Sequence, residues 1–281
     1  MSGWVVALVL STAILHASWN AVLRHGRDGL WTFMLIMAGA AALSALGLPF
    51  LPLPDKSCVP FLAAAFLLHG IYSVLLIFGY RWGELGAVYP IARGTAPLLV
   101  SAGAALFAGE RLPLPTLAAI AVVSLGIVGL SRDHLASASP PRALAIAVAT
   151  GIAIASYSVV DGMGARVAGN AISYAFWLAV LDFLPWPLVL LARRSTLRSR
   201  RAAPGDGWRA LAGGAVSIVG YALVLWAMTL GALGIVAALR ETSVVFAALI
   251  GWFFLGERLT VSRLAACSVI AAGILALALL R

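Results

Sequence analysis

Residues 240–259 read Arg240-Glu241-Thr242-Ser243-Val244-Val245-Phe246-Ala247-Ala248-Leu249-Ile250-Gly251-Trp252-Phe253-Phe254-Leu255-Gly256-Glu257-Arg258-Leu259. An adjacent pair of opposite charges opens an apolar run, and the run stops at Gly-Glu-Arg-Leu. The same four letters recur as Gly109-Glu110-Arg111-Leu112, again closing an apolar run that carries an arginine, Arg93. A four-letter match is weak by itself. Its weight comes from position, because each copy falls between the fourth and fifth apolar segments of its half of the chain. The reading is an internal duplication.

Working outward, apolar runs and their breakers place ten helical spans, near 3–22, 30–51, 59–79, 85–108 and 114–131, then 142–163, 171–192, 208–229, 233–255 and 261–280. A membrane-spanning helix needs roughly 20 mostly apolar residues. Composition agrees: 63% of the 281 residues are hydrophobic and 10% charged, against about half and about a quarter in soluble domains. A polar break from Arg132 to Arg142, with Pro140 and Pro141, divides the chain into units 1–131 and 142–281. The expected fold is an all-α membrane protein with ten transmembrane helices in two five-helix repeats. A unit with an odd number of spans enters the membrane from opposite sides in its two copies, so the repeat is inverted. Inverted repeats are common in transporters, which bind near the midplane and rock one part against another. The first apolar run lacks a basic leader and further spans follow it, so it reads as a retained helix and not a signal peptide.

The formal net charge of +9 would suggest nucleic acid in a soluble protein. Here six arginines share the connection between spans seven and eight, Arg193, Arg194, Arg198, Arg200, Arg201 and Arg209. There they meet anionic headgroups and hold a loop in the cytoplasm, so no nucleic acid is implied. The odd-numbered connections also hold Arg24, Arg27, Arg81, Arg132, Arg142, Arg258 and Arg263, while the even ones and the C-terminal end hold Lys56, Arg111, Arg166 and Arg281. The odd side is predicted to be cytoplasmic, with both termini outside. Cys58 and Cys267 lie far apart without metal-ligand spacing, which signals neither zinc nor a disulfide.

Enzyme signatures are missing from the sequence. The only lysine, Lys56, follows no GxxxxG, and there is no HExxH and no GxSxG. The reading is not an enzyme, with no catalytic residue, cofactor or metal expected.

What the sequence offers is polar groups inside apolar spans, which are costly in lipid and therefore face the bundle interior or a wet cavity. Tyr89-Pro90-Ile91-Ala92-Arg93-Gly94-Thr95-Ala96-Pro97 joins a cation to two prolines and a glycine. Proline frees a carbonyl four residues back and kinks the helix, and broken helices line transport sites. Arg93 either lines a cavity or sits in a structural ion pair. Arg240 and Glu241 point about 100° apart on a helix and each needs a further partner. A zwitterion would fit, with Arg93 or Arg240 forking a carboxylate and Glu241 facing an ammonium. The rival is pairing among Arg240, Glu241 and Asp182 that fixes helix packing. His69 and Tyr72 share one face of span three. His16, Trp19 and Asn20 do so in span one, where Trp19 also reads as an interfacial anchor. Asp161 reads as solvated or capping and Asp182 as a proton carrier. Glu110 and Glu257 read as carboxylates at the positive end of the helix that follows each.

With Gly-Glu-Arg-Leu in both halves and Arg240 through Arg258 between its markers, the chain resembles the drug/metabolite transporter superfamily, in its EamA-type branch, over nearly its whole length. His69, Tyr72 and Tyr89 are similar to cavity residues of bacterial aromatic amino-acid exporters, although Ile91 stands where an aromatic would be expected. His16-Ala17-Ser18-Trp19-Asn20 resembles members associated with phosphonate metabolism. The resemblance implies a bacterial inner-membrane, multi-pass secondary transporter, exporting amino acids or related metabolites by alternating access. Its partners would be a small zwitterionic or anionic solute and the lipid bilayer, and its state a monomer. The family pattern puts both termini in the cytoplasm, whereas the Lys and Arg count puts them in the periplasm. The expected binding residues are Trp19, Asn20, His69, Tyr72, Tyr89, Arg93, Arg240 and Glu241. The alternative is an intramembrane enzyme or a flippase-like lipid handler, told apart by whether the polar residues converge on a midplane pocket or open sideways to lipid.

Overall fold

The computed structural model describes residues 1–25, 29–82, 85–132, 141–197, 205–255 and 260–280, and among them every regular element is helical. The first half holds α1 (Gly3–His25), α2 (Gly29–Gly47), α3 (Val59–Trp82), α4 (Leu85–Phe107) and α5 (Leu114–Gly129). The second holds α6 (Pro141–Val167), α7 (Ala171–Phe183), α8 (Trp186–Leu197), α9 (Asp206–Leu230), α10 (Leu233–Arg240), α11 (Ser243–Leu255) and α12 (Val261–Leu279). Among the described residues, eight helical segments are long and apolar enough to cross a membrane, and two shorter apolar ones, Gly3–Trp19 and Leu114–Gly129, accompany them. These ten segments coincide with the ten spans read from the sequence, so the protein is a multi-pass helical membrane protein.

Spans seven and nine are each made of two helices. In span seven Pro185 has no N–H to continue the ladder, and α8 restarts at Trp186. In span nine no proline intervenes. The backbone tightens instead: the N–H groups of Glu241, Thr242, Val244 and Val245 donate to carbonyls three residues back, which is 3₁₀ geometry. The Thr242 hydroxyl takes the Leu239 carbonyl as well. Span four runs as one helix through Pro90 and Pro97. In the neighbouring turns the Thr95 hydroxyl donates to the Ile91 and Ala92 carbonyls and the Ser101 hydroxyl to that of Pro97.

The halves interlock: α4 and α3 pack on α6, α2 on α9, α5 on α12 and α1 on α9. Lipid gives apolar faces no reason to seek one another, so close backbone approach between small residues does the work. A Cβ on Gly39 would fall 2.8 Å from Leu211 Cα, and one on Gly214 would fall 2.7 Å from the Ala40 nitrogen. The α2–α9 contact therefore requires glycine at both positions. Large apolar side chains such as Leu46, Leu106, Phe107, Leu125, Leu188 and Phe253 point outward and are exposed, as lipid-facing residues are.

The even-numbered connections meet at one end of the bundle. There the Asp55 N–H donates to Ala168, the Ser57 hydroxyl to Val167 and the Ser173 hydroxyl to Pro52. The Asp55 carboxylate accepts from the Ser57 N–H, which holds its pKa below the ordinary carboxylate value. Gly109 adopts the left-handed conformation at φ 66° and the Glu110 N–H reaches back to the Ala104 carbonyl, a glycine-capped helix end. This turn aims Glu110 at α10, not at α5. Its two oxygens accept from the Leu233 N–H at 3.2 and 2.9 Å, and its Oε1 pairs with Arg166 at 2.6 Å. Glu110 thus serves the positive end of a helix in the other half, which corrects the expectation that it opens the helix following it. Residues 256–259, the second Gly-Glu-Arg-Leu, lie outside the described residues.

Candidate functional site

The polar side chains inside the spans converge on one cavity of about 500 Å³. No residue of the even-numbered connections lines it. Its walls come from the middle and C-terminal turns of α1 (Thr12, His16, Trp19), the N-terminal and middle turns of α2 (Phe33, Met37, Ala40), α3 (His69, Tyr72), the first turns of α4 (Tyr89, Arg93), Tyr157 of α6, Asp182 of α7, Tyr221 of α9 and Arg240 of α10. Helix polarity therefore sets the cavity from the middle of the bundle toward the odd-numbered connections.

Of the residues expected from sequence, Trp19, His69, Tyr72, Tyr89, Arg93 and Arg240 line this space. Trp19 stands edge-on to His16 with ring centroids 5.2 Å apart, so it lies inside the bundle. Glu241 is only 1% exposed and sits behind the lining, with Oε2 2.9 Å from Arg93 Nε and Oε1 3.9 Å from Arg240 Nε. The tightened turn at 241–245 lets neighbouring Arg240 and Glu241 face each other while Arg93 supplies the second partner from the opposite half. Asn20 belongs to α1, but its side chain lies outside the described set.

Distances in this cluster are short, but directions are not matched. Nε and Nη2 of Arg93, Nε of Arg240 and both Glu241 oxygens are buried without an aligned hydrogen bond. Buried polar atoms are ordinarily satisfied. Two guanidiniums around one carboxylate leave one positive charge in surplus at the wall of the cavity.

A second cluster faces it. His69 Nδ1 lies 2.5 Å from Asp182 Oδ2, and Nε2 lies 3.1 Å from Asp161 Oδ2. Tyr174 donates to Asp161 Oδ1 at 3.2 Å, and Tyr221 donates to Asp161 Oδ2. Tyr157 stacks edge-on against His69 at 4.5 Å and against Tyr72 at 5.6 Å. Asp161 is fully buried, which corrects its reading as solvated or capping. The reason is length: α6 continues to Val167, so Asp161 lies well inside the helix. Asp182 pairs with His69 and not with the arginines, so of the rival pairing among Arg240, Glu241 and Asp182 only the Arg240–Glu241 contact is present. Tyr157, Tyr174 and Tyr221 had not been singled out. The spacing of Tyr157 and Asp161, one turn apart on a common helix face, was the available signal.

Residues 141–279 match the family model described as the EamA-like transporter family. No curated protein matches the chain in sequence. A solved structure described only as "Crystal structure of protein" is similar at a TM-score of 0.76 and 21% identity, covering 99% of each chain. That likeness speaks for the fold alone.

Proposed function

Residues 141–279 match the EamA-like transporter family, and on that premise we propose that this protein is a secondary transporter of small amino-acid-like zwitterions, loaded from the cavity between its halves. The carrying observation is the cavity's paired charge, positive at Arg93 and Arg240 and negative at the His69 cluster. A carboxylate would fork onto a guanidinium and an ammonium would meet Asp182. Aromatic and aliphatic walls leave room for a side chain, in a volume typical of small-molecule sites.

The alternating-access mechanism rests on reading the chain as two inverted units, 1–131 and 142–281. Supporting that reading, Arg93 and Arg240 precede their Gly-Glu-Arg-Leu by the same number of residues, and α3 meets α6 much as its counterpart α9 meets α1. The even end is knitted across the halves by Glu110, Arg166 and the Asp55 turn, and the cavity lies toward the odd side. On the Lys and Arg count this is a conformation facing the cytoplasm of a bacterial inner membrane, with periplasmic termini, the state in which an exporter loads. Convergence on a central cavity favours this reading over a flippase-like site opening sideways to lipid.

The test is counterflow in proteoliposomes preloaded in turn with amino acids and phosphonates, following entry of the labelled compound. Exchange with an amino acid is the expected result. Silence across the panel, with folded protein verified, would overturn the proposal.

A further inference from the structure

The wall of the cavity is incomplete on one side. Leu67, Gly70 and Val74 of α3 line the cavity, yet Leu67 is 64% and Val74 51% exposed, and Gly70 is exposed with them. Spaced by three and four residues, they share one face of the helix. A Cβ on Gly70 would meet no atom within 4 Å, so the space beside it is open. Across the gap stand Pro185, exposed, and Val189, half-buried, which line the cavity as well. The two parts of span seven treat α3 differently. Helix α7 packs on it, whereas α8, once past the edge-on contact of Trp186 with Phe33 of α2 at 5.3 Å, packs closely on no other helix among the described residues. The result is a slit between α3 and α8.

Its height decides what lies outside it. Gly70 is near the middle of α3 (Val59–Trp82), about 17 Å from each end at 1.5 Å per residue. The hydrocarbon core is about 30 Å thick, so the slit faces lipid and not water. The charged groups are not laid open by it. Arg93, Asp161, Arg240 and Glu241 all stay buried, and only apolar wall is missing.

Resting on the proposed transport reading, we infer that the slit between α3 and α8 is a side-chain window, through which the apolar side chain of a bound zwitterion reaches the hydrocarbon while its charged head stays between the two central clusters. The substrate class is thereby 2-amino acids with long, unbranched apolar side chains. In a closed cavity each added methylene gains burial only until the space is full, and the next one clashes. Through a window each further methylene still passes from water to hydrocarbon, which strengthens binding from water by roughly fourfold per step. The occupant follows from continuity and chemistry: the opening leads straight from the charged cavity, and its edges at Leu67, Gly70, Val74, Pro185 and Val189 offer no polar side chain to hold a lipid headgroup.

The experiment is competition against labelled leucine counterflow in proteoliposomes, using straight-chain 2-amino acids from alanine to 2-aminododecanoate. On wild-type protein competition should strengthen along the whole series. Gly70→Trp places its ring in the open space and plugs the slit, so it should weaken 2-aminododecanoate by about tenfold or more relative to alanine. Partition of the long compounds into the vesicles is common to both proteins and cancels in that ratio. A second measurement reads the window directly: a nitroxide on Gly70→Cys, with Cys58→Ala and Cys267→Ala, should collide with dissolved oxygen and not with a water-soluble nickel chelate, and 2-aminododecanoate should reduce the oxygen collisions. Loss of competition in wild-type protein once the chain outgrows the cavity, or one length profile shared by both proteins, overturns the window and leaves the transport reading standing. Collision with the chelate would make the opening aqueous, and shielding from both probes would mean that a second copy covers it; either result overturns the window alone. Wild-type protein on which neither leucine nor any member of the series exchanges overturns the transport reading and the window with it.

Discussion

The cavity's two charged clusters are near mirror images in composition and opposite in sign: two cations around one carboxylate at Arg93, Glu241 and Arg240, and two carboxylates around one imidazole at Asp161, His69 and Asp182. They differ in how well they are satisfied. Asp161 is held by two tyrosines and His69, whereas the guanidiniums have N–H groups buried without aligned acceptors. A ligand carboxylate would supply what the first cluster lacks, and a single hydrogen would supply what the second lacks. The difference separates a cationic end with unmet N–H groups from an anionic end whose carboxylates are largely held.

Removing the central group of the guanidinium cluster should have the largest effect on stability. Glu241→Gln leaves two buried cations facing each other, and breaking a buried ion pair from one side costs about 3–5 kcal/mol. Thermal unfolding in detergent should show a large loss of folded protein. A melting temperature unchanged from wild type would mean that the arginines are neutralised by something other than Glu241.

Arg93→Ala acts differently, because Arg240 and Glu241 remain as a compensated pair. The protein should still reach the membrane in normal amount, but the positive surplus is gone. Losing one partner of a buried charge contact is worth about 2–5 kcal/mol, so counterflow should fall by roughly 30-fold or more. Arg93→Lys should not restore it, since an ammonium cannot fork a carboxylate as a guanidinium does. Unchanged uptake by Arg93→Ala would remove Arg93 from the site.

The two clusters were not equally legible in the sequence. Arg93, Arg240 and Glu241 are charges in the middle of apolar runs, and the cost of charge in lipid singles them out without a structure. The ten spans were legible for the same reason, since length and hydropathy decide them. Asp161 was misjudged because a helix end cannot be read to within two residues where small apolar residues continue. Tyr174 and Tyr221 were invisible because tyrosine in a span reads equally well as packing. The interruption of span nine left no mark in the sequence, because proline is a visible signal while tightening of a turn at Glu241 depends on where Arg93 arrives from the other half. Glu110 was recognised as a partner for a helix dipole, but only packing between the halves decides which helix.

The imidazole cluster can be perturbed more gently at Tyr174. Tyr174→Phe removes one hydrogen bond to a buried carboxylate, worth about 2 kcal/mol where a charge is involved, and leaves Tyr221 and His69 in place. Stability should drop by that order while counterflow persists. If counterflow were abolished as completely as by Arg93→Ala, the imidazole cluster would be as necessary to transport as the guanidinium cluster.

The smallest effect is expected outside the cavity, at the ion pair that serves as their control. Glu110 and Arg166 are partly exposed, with side chains at 13% and 30%, and Arg166 also donates to the carbonyls of Met228 and Gly231. Glu110→Gln keeps the shape and removes the charge at the α10 end, a capping and dipole loss of about 1 kcal/mol. So small a change should barely move the melting temperature, yet it acts where the first half is tied to the second and should raise the share of molecules with that end open. Cys58 is buried at this end, and with Cys267 replaced by alanine it reports the opening through its rate of thiol labelling. Faster labelling in Glu110→Gln, with substrate binding intact, is the expected outcome. Labelling at the wild-type rate would mean that Glu110 only caps α10 and that the even end is held shut by the Asp55 and Ser57 contacts alone.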